Sequence, residues 1–343
     1  MQKITHINLA KGFRGGERQT QILIEELSKK GYRQKLIGRK GSVLLKRCES
    51  IDNLEIVYIL KPYIFSLQKL KSEKIIHAHE TKALQLAFWA NLFFDIPYIV
   101  TRRVDNKIKN NLFNKLLYKK ASQVVALSSA IKNQIKKLNK EINVNIIPSA
   151  YTKPSLDDKK IKALKDRYKD KFIVGHVGAL DDRHKGQSYL IKAAKMLEYE
   201  YPDIHFLFVG GGKDEKKLKE LAKDVKNITF VGFVNDVHNY ISVFDIFAFP
   251  SLNEGLGSIL FDAMKLKVPI VASNVGGIPD IIEDEKNGLL FPPKDAKAIK
   301  DAILRVYKNE GLRKKLAENA FISIENFSSA SMCQKYEDIY RSL

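Results

Sequence analysis

Apolar and polar positions follow two periods along this chain. Short apolar runs at residues 4–9, 33–37, 74–78, 98–101 and 124–127 predict strands. Between them, Ile22, Leu23 and Leu27 fall at helical spacing and predict a helix over residues 17–30, stopped by Gly31, with another over 82–93. The second half repeats the alternation, with strands predicted at 172–177, 204–209, 228–231, 246–249 and 269–272 and helices at 186–197, 215–225 and 258–265. Strands alternating with helices indicate parallel sheets covered on both faces, so the fold class is α/β with two doubly wound, Rossmann-like domains. The stretch 148–154 ends a strand, loses periodicity and carries Pro148 and Pro154, which places a domain boundary at 152/153. Residues 157–170 are highly charged and predict a surface helix. Open sheets of this kind bind ligands beyond the carboxyl ends of their strands, so two such domains imply a central cleft.

Composition narrows the class. A length of 343 residues with 45% apolar content suits about two domains and excludes disorder. Cys48 and Cys333 are too few for a disulfide framework or a metal cage and fit a reducing compartment. The N-terminus reads into a strand without the pattern of a secretory signal. The most apolar segment, 83–100, is interrupted by Gln85, Asn91, Asp95 and Pro97, short of a membrane span. Of the net charge of +20, residues 1–150 carry +17. That asymmetry points the first half toward an anionic partner.

Candidate chemistry clusters in strand-to-helix loops. Gly12-Phe13-Arg14-Gly15-Gly16-Glu17 opens a helix whose free amides attract an anion, although an ordinary tight turn reads the same. In Ile75-Ile76-His77-Ala78-His79-Glu80, His77 and His79 share one strand face; no third ligand spacing accompanies them, so no metal site is expected. Thr101-Arg102-Arg103 sets two guanidinium groups at another strand end, suited to phosphate or carboxylate. Residues 107–120 predict an amphipathic helix with five lysines off its apolar face.

In the second half, Gly178 to Gly186 offers Arg183 and Lys185 to an anion, and Phe208-Val209-Gly210-Gly211-Gly212 ends a strand with three glycines. Neither loop has the dinucleotide fingerprint of a Rossmann oxidoreductase. The most specific run is Phe249 to Met264, in which Glu254-Gly255-Leu256-Gly257-Ser258 leads into a helix expected to begin near Leu256, with Asp262 eight positions beyond Glu254. Ser273 to Asp280 supplies a further glycine loop through Gly276 and Gly277.

Taken together, these motifs resemble the retaining, nucleotide-sugar-dependent glycosyltransferases of family 4, which have the GT-B fold. The resemblance implies that Arg183 and Lys185 hold the donor diphosphate and that Glu254 faces the donor sugar. It places Asp262 where the family has a second Glu on the ribose, and His79, ahead of His77, near the reacting centre. Gly15, Gly16, Gly178, Gly211, Gly255, Leu256, Gly257, Ser258, Gly276 and Gly277 would line the donor site. It also implies that 327–343 is a helix returning to the N-terminal, acceptor-binding domain (1–152), while 153–326 binds the donor. No Asp-x-Asp pair is present, so a metal-independent reaction without cofactor is expected.

The acceptor, met by Arg102 and Arg103, is expected to be an anionic glycan or glycolipid such as a lipopolysaccharide or lipooligosaccharide core. Transfer from a UDP-linked donor would then occur in the cytoplasm, at the inner face of an anionic membrane held peripherally by basic residues. Two other classes fit parts of the pattern. One is a non-catalytic sugar- or nucleotide-binding protein on the same fold; the presence of Glu254, Lys185 and His79 argues against it. The other is a nucleic-acid-binding protein, for which aromatic platforms and binding motifs are lacking, so no nucleic-acid partner is expected.

Overall fold

The computed structural model describes residues 3–343. One compact unit runs to Ala150 and takes back Phe327–Leu343; the other is Tyr151–Asn326, so the division falls two residues before the boundary read from the prolines.

The first unit holds a seven-stranded sheet of β1 (Ile4–Asn8), β2 (Gln34–Arg39), β3 (Leu54–Ile59), β4 (Ile75–Ala78), β5 (Tyr98–Arg102), β6 (Gln123–Ala126) and β7 (Val144–Ile146). All pairings are parallel, in the order β3-β2-β1-β4-β5-β6-β7. The chain thus builds outward on one side of β1 and then returns to the other, which sets the topological switch point between β1 and β4. The central strands are buried throughout, as a sheet covered on both faces requires. The exceptions in side-chain chemistry are Thr5, His6, Asn8 and His77, polar residues at zero to 2% exposure.

The C-terminal helix, Ser329–Arg341, starts at Ser328, whose hydroxyl accepts from the Ser331 N–H. It buries Met332, Tyr336, Ile339 and Tyr340 with Ile4, Leu23, Leu27, Ile75 and Ile99 in one core. Glu337, buried on the same helix, is met by Lys30 and by the Tyr32 hydroxyl at 3.1 Å.

The second unit holds a six-stranded sheet of β8 (Phe172–Val177), β9 (Ile204–Val209), β10 (Ile228–Gly232), β11 (Ile246–Phe249), β12 (Ile270–Ser273) and β13 (Leu289–Phe291). It is again parallel, in the order β10-β9-β8-β11-β12-β13, which puts its switch point between β8 and β11. The charged stretch predicted as a surface helix is Asp158–Arg167, with no buried residue.

Two expected helices change. Residues 107–111 stay irregular and the helix is only Leu112–Lys119, because the Asn111 side chain caps it by accepting from the Asn114 N–H at 2.8 Å. The helix expected near Leu256 is instead Leu260–Lys265. Gly257 has a φ of +88°, a left-handed conformation that no helix can include, so Leu256–Ser258 remain loop.

Candidate functional site

Ligands of doubly wound sheets gather where the strand order reverses, beyond the carboxyl ends. In the second unit that position is framed by the loops leaving β8 and β11. The β8 loop forms one helical turn, Asp182–Lys185, and its His184 carbonyl accepts from the amides of Leu252 and Asn253 at 2.8 and 3.2 Å. Lys185 Nζ then lies 2.5 Å from Glu254 Oε2 and 5.2 Å above the Phe249 ring. Both partners are partly exposed, at 23% and 17%, so the pair remains open to ligand.

Glu254 is fixed through its backbone. Its carbonyl accepts from the Gly277 N–H at 3.0 Å, and Gly276, at φ +57°, has that carbonyl where a Cβ would stand. Gly255, Leu256, Gly257 and Ser258 continue the same loop, with Leu256 buried and Ser258 exposed. Asp262 sits in the following short helix, its Oδ1 3.6 Å from His238 Nε2. His238 Nδ1 accepts from the Ser155 N–H at 3.1 Å, which leaves the proton on the nitrogen facing Asp262. Arg183 is exposed and forms no ion pair among the described residues.

The triple-glycine loop is occupied by its neighbour. Gly178 and Leu180 donate to the carbonyls of Val209 and Gly211, at 3.0 and 3.1 Å, so much of Phe208–Gly212 packs on the β8 loop. Below both, His176 donates from Nδ1 to the Ala248 carbonyl and meets Gln187 Nε2 at 3.3 Å; burial pushes its pKa down to about 4 and keeps it neutral.

In the first unit the switch point is framed by the loops after β1 and β4. The helix Gly15–Lys29 begins there, with Glu17 accepting from the Arg14 N–H at 2.8 Å. No heavy atom lies within 4 Å of a Cβ built on Gly15, while one on Gly16 would touch Arg103 Cδ at 3.3 Å. The two arginines after β5 differ. Arg102 donates to the Tyr118 hydroxyl and to the Asn106 carbonyl. Arg103 buries all three guanidinium nitrogens without a hydrogen-bond partner among the described residues, and burial lowers its pKa.

Register brings His6 of β1 opposite His77 of β4, and His79 follows two residues on. The three offer ring nitrogens within 4.8 Å of one another. Nearly all are already engaged. His6 meets His79 Nε2 at 3.0 Å and Gln34 Oε1 at 3.1 Å, and His77 meets the Tyr340 hydroxyl at 2.7 Å and Thr101 Oγ1 at 2.8 Å. Only His79 Nδ1 is buried without a partner among the described residues. Burial holds all three imidazoles below their usual pKa, His6 at about 4. Sequence reasoning missed His6 and Gln34; the legible signal was a histidine within an otherwise apolar central strand.

An exposed apolar patch also lies on the first unit. Leu92, Phe93 and Leu112 are 56%, 63% and 73% exposed, Trp89 stacks on Phe93, and Phe113 packs against Phe88. Among the described residues no helix is long and apolar enough to cross a membrane.

Residues 157–322 match the protein family described as Glycosyl transferases group 1. The capsular polysaccharide biosynthesis glycosyltransferase CapM of Staphylococcus aureus is 27% identical over 201 residues, 56% of this chain and 52% of CapM. The chain spans about half the length of the curated relatives it matches. Among solved structures, HepE of Anabaena in complex with UDP aligns over 100% of both chains at 20% identity with a TM-score of 0.84. The lipopolysaccharide outer core galactosyltransferase WaaB aligns over 100% of both at 17% identity with a TM-score of 0.77. At these identities the likeness is one of fold, the two-domain GT-B architecture.

Proposed function

On the match of residues 157–322 to the group 1 glycosyl transferases, we propose that the chain is such an enzyme and moves a glycosyl unit from a UDP-linked donor to an anionic envelope glycan or glycolipid. The observation that carries this reading is the Lys185–Glu254 pair at the switch point of the second unit, within the matched residues.

The chemistry is departure of a diphosphate from an anomeric carbon. Negative charge grows on the leaving oxygens, and fixed cations and amides aimed at them lower the barrier. Lys185 and Arg183 supply the cations. Loop amides from Leu256 to Ser258, held by Gly257 in its left-handed turn, supply the dipoles. Glu254, pinned by Gly276 and Gly277, faces the sugar, and Asp262, one methylene shorter than the Glu usual in the family, takes the ribose. No metal step is assigned, because the chain has no Asp-x-Asp pair and these side chains supply the counter-charge. Configuration at the anomeric carbon is retained. UDP is favoured by the UDP complex of HepE, a protein of the same fold.

We assign the acceptor to the first unit. Arg103, a buried guanidinium without a hydrogen-bond partner among the described residues, is suited to an acceptor oxyanion, and Arg102 is held beside it by Tyr118 and Asn106. A lipopolysaccharide core acceptor is supported by the fold shared with WaaB and by the net +17 of residues 1–150. The exposed Leu92, Phe93 and Leu112, close in sequence to five lysines at 107–120, favour peripheral docking on an anionic membrane from the cytoplasmic side.

A thermal-shift panel of nucleoside diphosphates and their sugars, followed by product analysis with the best binder, tests the assignment. UDP or a UDP-sugar is expected to stabilise most. Absence of stabilisation by every nucleotide in the panel would remove the donor assignment.

A further inference from the structure

The hydrogen bonds around His6 form a directed chain whose polarity is set at one end. Gln34 Nε2 lies 3.0 Å from the Ile24 carbonyl, which can only accept, and this fixes which end of the Gln34 amide is nitrogen. Gln34 Oε1 therefore faces His6 Nε2 at 3.1 Å as an acceptor, and His6 must carry its proton there. His6 is fully buried and neutral, so its Nδ1 is a bare lone pair. Two bare lone pairs 3.0 Å apart would repel, so His79 Nε2 donates to His6 Nδ1. His79, itself buried and neutral, is then left with an unprotonated Nδ1, the one ring nitrogen of the cluster that has no partner among the described residues.

We infer that Gln34 and His6 are positioning residues that lock His79 in its Nε2–H tautomer and so present the Nδ1 lone pair to a hydroxyl of bound substrate. His77 takes no part in this chain. Its two nitrogens meet the Tyr340 and Thr101 hydroxyls, which rotate to suit either tautomer, and its ring lies against that of His79 at 3.9 Å between centroids. Its role is to hold the plane of the His79 ring. A buried acceptor without a partner is costly, and a substrate O–H bonded there relieves that cost only while His79 keeps this tautomer. The chain reaches back to a helix carbonyl, so the orientation is set before any ligand arrives.

The inference concerns the substrate of the proposed transfer, but its first test needs no substrate. In the full-length protein labelled with 15N-histidine, long-range proton–nitrogen correlations, assigned through the loss of signals in His79→Gln, are expected to show His79 Nδ1 at the unprotonated position and Nε2 at the protonated one. Gln34→Leu removes the acceptor and is expected to give mixed His79 tautomers. Gln34→Glu, which as the neutral acid donates to the Ile24 carbonyl and still accepts from His6 Nε2, is expected to keep the wild-type pattern. With UDP-glucose as donor probe, turnover in Gln34→Leu is expected to fall at least about ten-fold through kcat, with recovery of most of it in Gln34→Glu, as loss of a required tautomer does elsewhere. A protonated Nδ1 in the wild-type protein, or a folded Gln34→Leu with an unchanged His79 tautomer, overturns the inference. If Gln34→Leu does not fold, the wild-type spectrum still decides. If UDP-glucose is not turned over, the donor reading fails while the spectra continue to judge the tautomer.

Discussion

The carbonyl oxygen of Glu254 occupies the space where a side chain on Gly276 would begin, and it accepts a hydrogen bond from the next amide, Gly277, at 3.0 Å. The acid of the β11 loop is thus held by the β12 loop through main chain alone. Gly276→Ala would add a left-handed non-glycine residue, at a cost of about 1 kcal/mol or more, and would also push Glu254 from its place. The expected outcome is a lower thermal midpoint together with near-complete loss of donor turnover. A variant that melts and turns over like the parent would separate the two loops.

Lys185→Ala and Glu254→Ala are each expected to remove most turnover with little change in melting. The pair is partly exposed, at 23% and 17%, and pairs in contact with water contribute about 1 kcal/mol or less to stability. Steady-state kinetics beside a thermal melt checks this. Retained turnover in either variant would refute the role given to that residue.

Arg103 should behave in the opposite sense. A buried guanidinium with no partner among the described residues opposes folding. Arg103→Met is therefore expected to raise the melting midpoint by about 2 °C or more while weakening acceptor use. A lowered midpoint with unchanged kinetics would mark Arg103 as structural.

Acid should weaken both units. In the unfolded chain a histidine takes its proton near pH 6.5, whereas folded His6 and His176 are held down to about 4 by burial. Between those values the unfolded state binds more protons, so stability is full above pH 6.5 and is lost as pH falls toward 4, by up to roughly 3 kcal/mol per histidine. Calorimetry at pH 7, 5.5 and 4.5 reads this directly; a midpoint that stays level or climbs on acidification would contradict the buried neutral state.

Membrane docking is tested by flotation. At low salt the protein is expected to rise with anionic vesicles and remain behind with neutral ones, and Phe93→Ser combined with Leu112→Ser is expected to weaken recovery. Equal recovery with both vesicle types would count against an electrostatic contribution.

The alternation of short apolar runs with helical spacing was enough to establish two α/β sheets, because burial on both faces imposes its own pattern on each strand. Loop motifs were legible for a related reason: glycine and charged residues at a strand end leave few structural explanations, and Lys185 and Glu254 stood out on that ground. The edge strand Leu289–Phe291 escaped notice, since three residues show no period. The start of the Leu260–Lys265 helix was misplaced because the backbone angle at Gly257 is set by its surroundings rather than by the local sequence. Parallel pairing joins residues far apart in the chain, and local pattern says nothing of which strand lies beside which. Only the folded sheet could bring His6, Gln34 and His79, separated by 28 and 73 positions from His6, into one chain of hydrogen bonds. Only the folded surroundings could decide that Arg103 is buried without a hydrogen-bond partner among the described residues while Arg102 is tied to Tyr118 and Asn106.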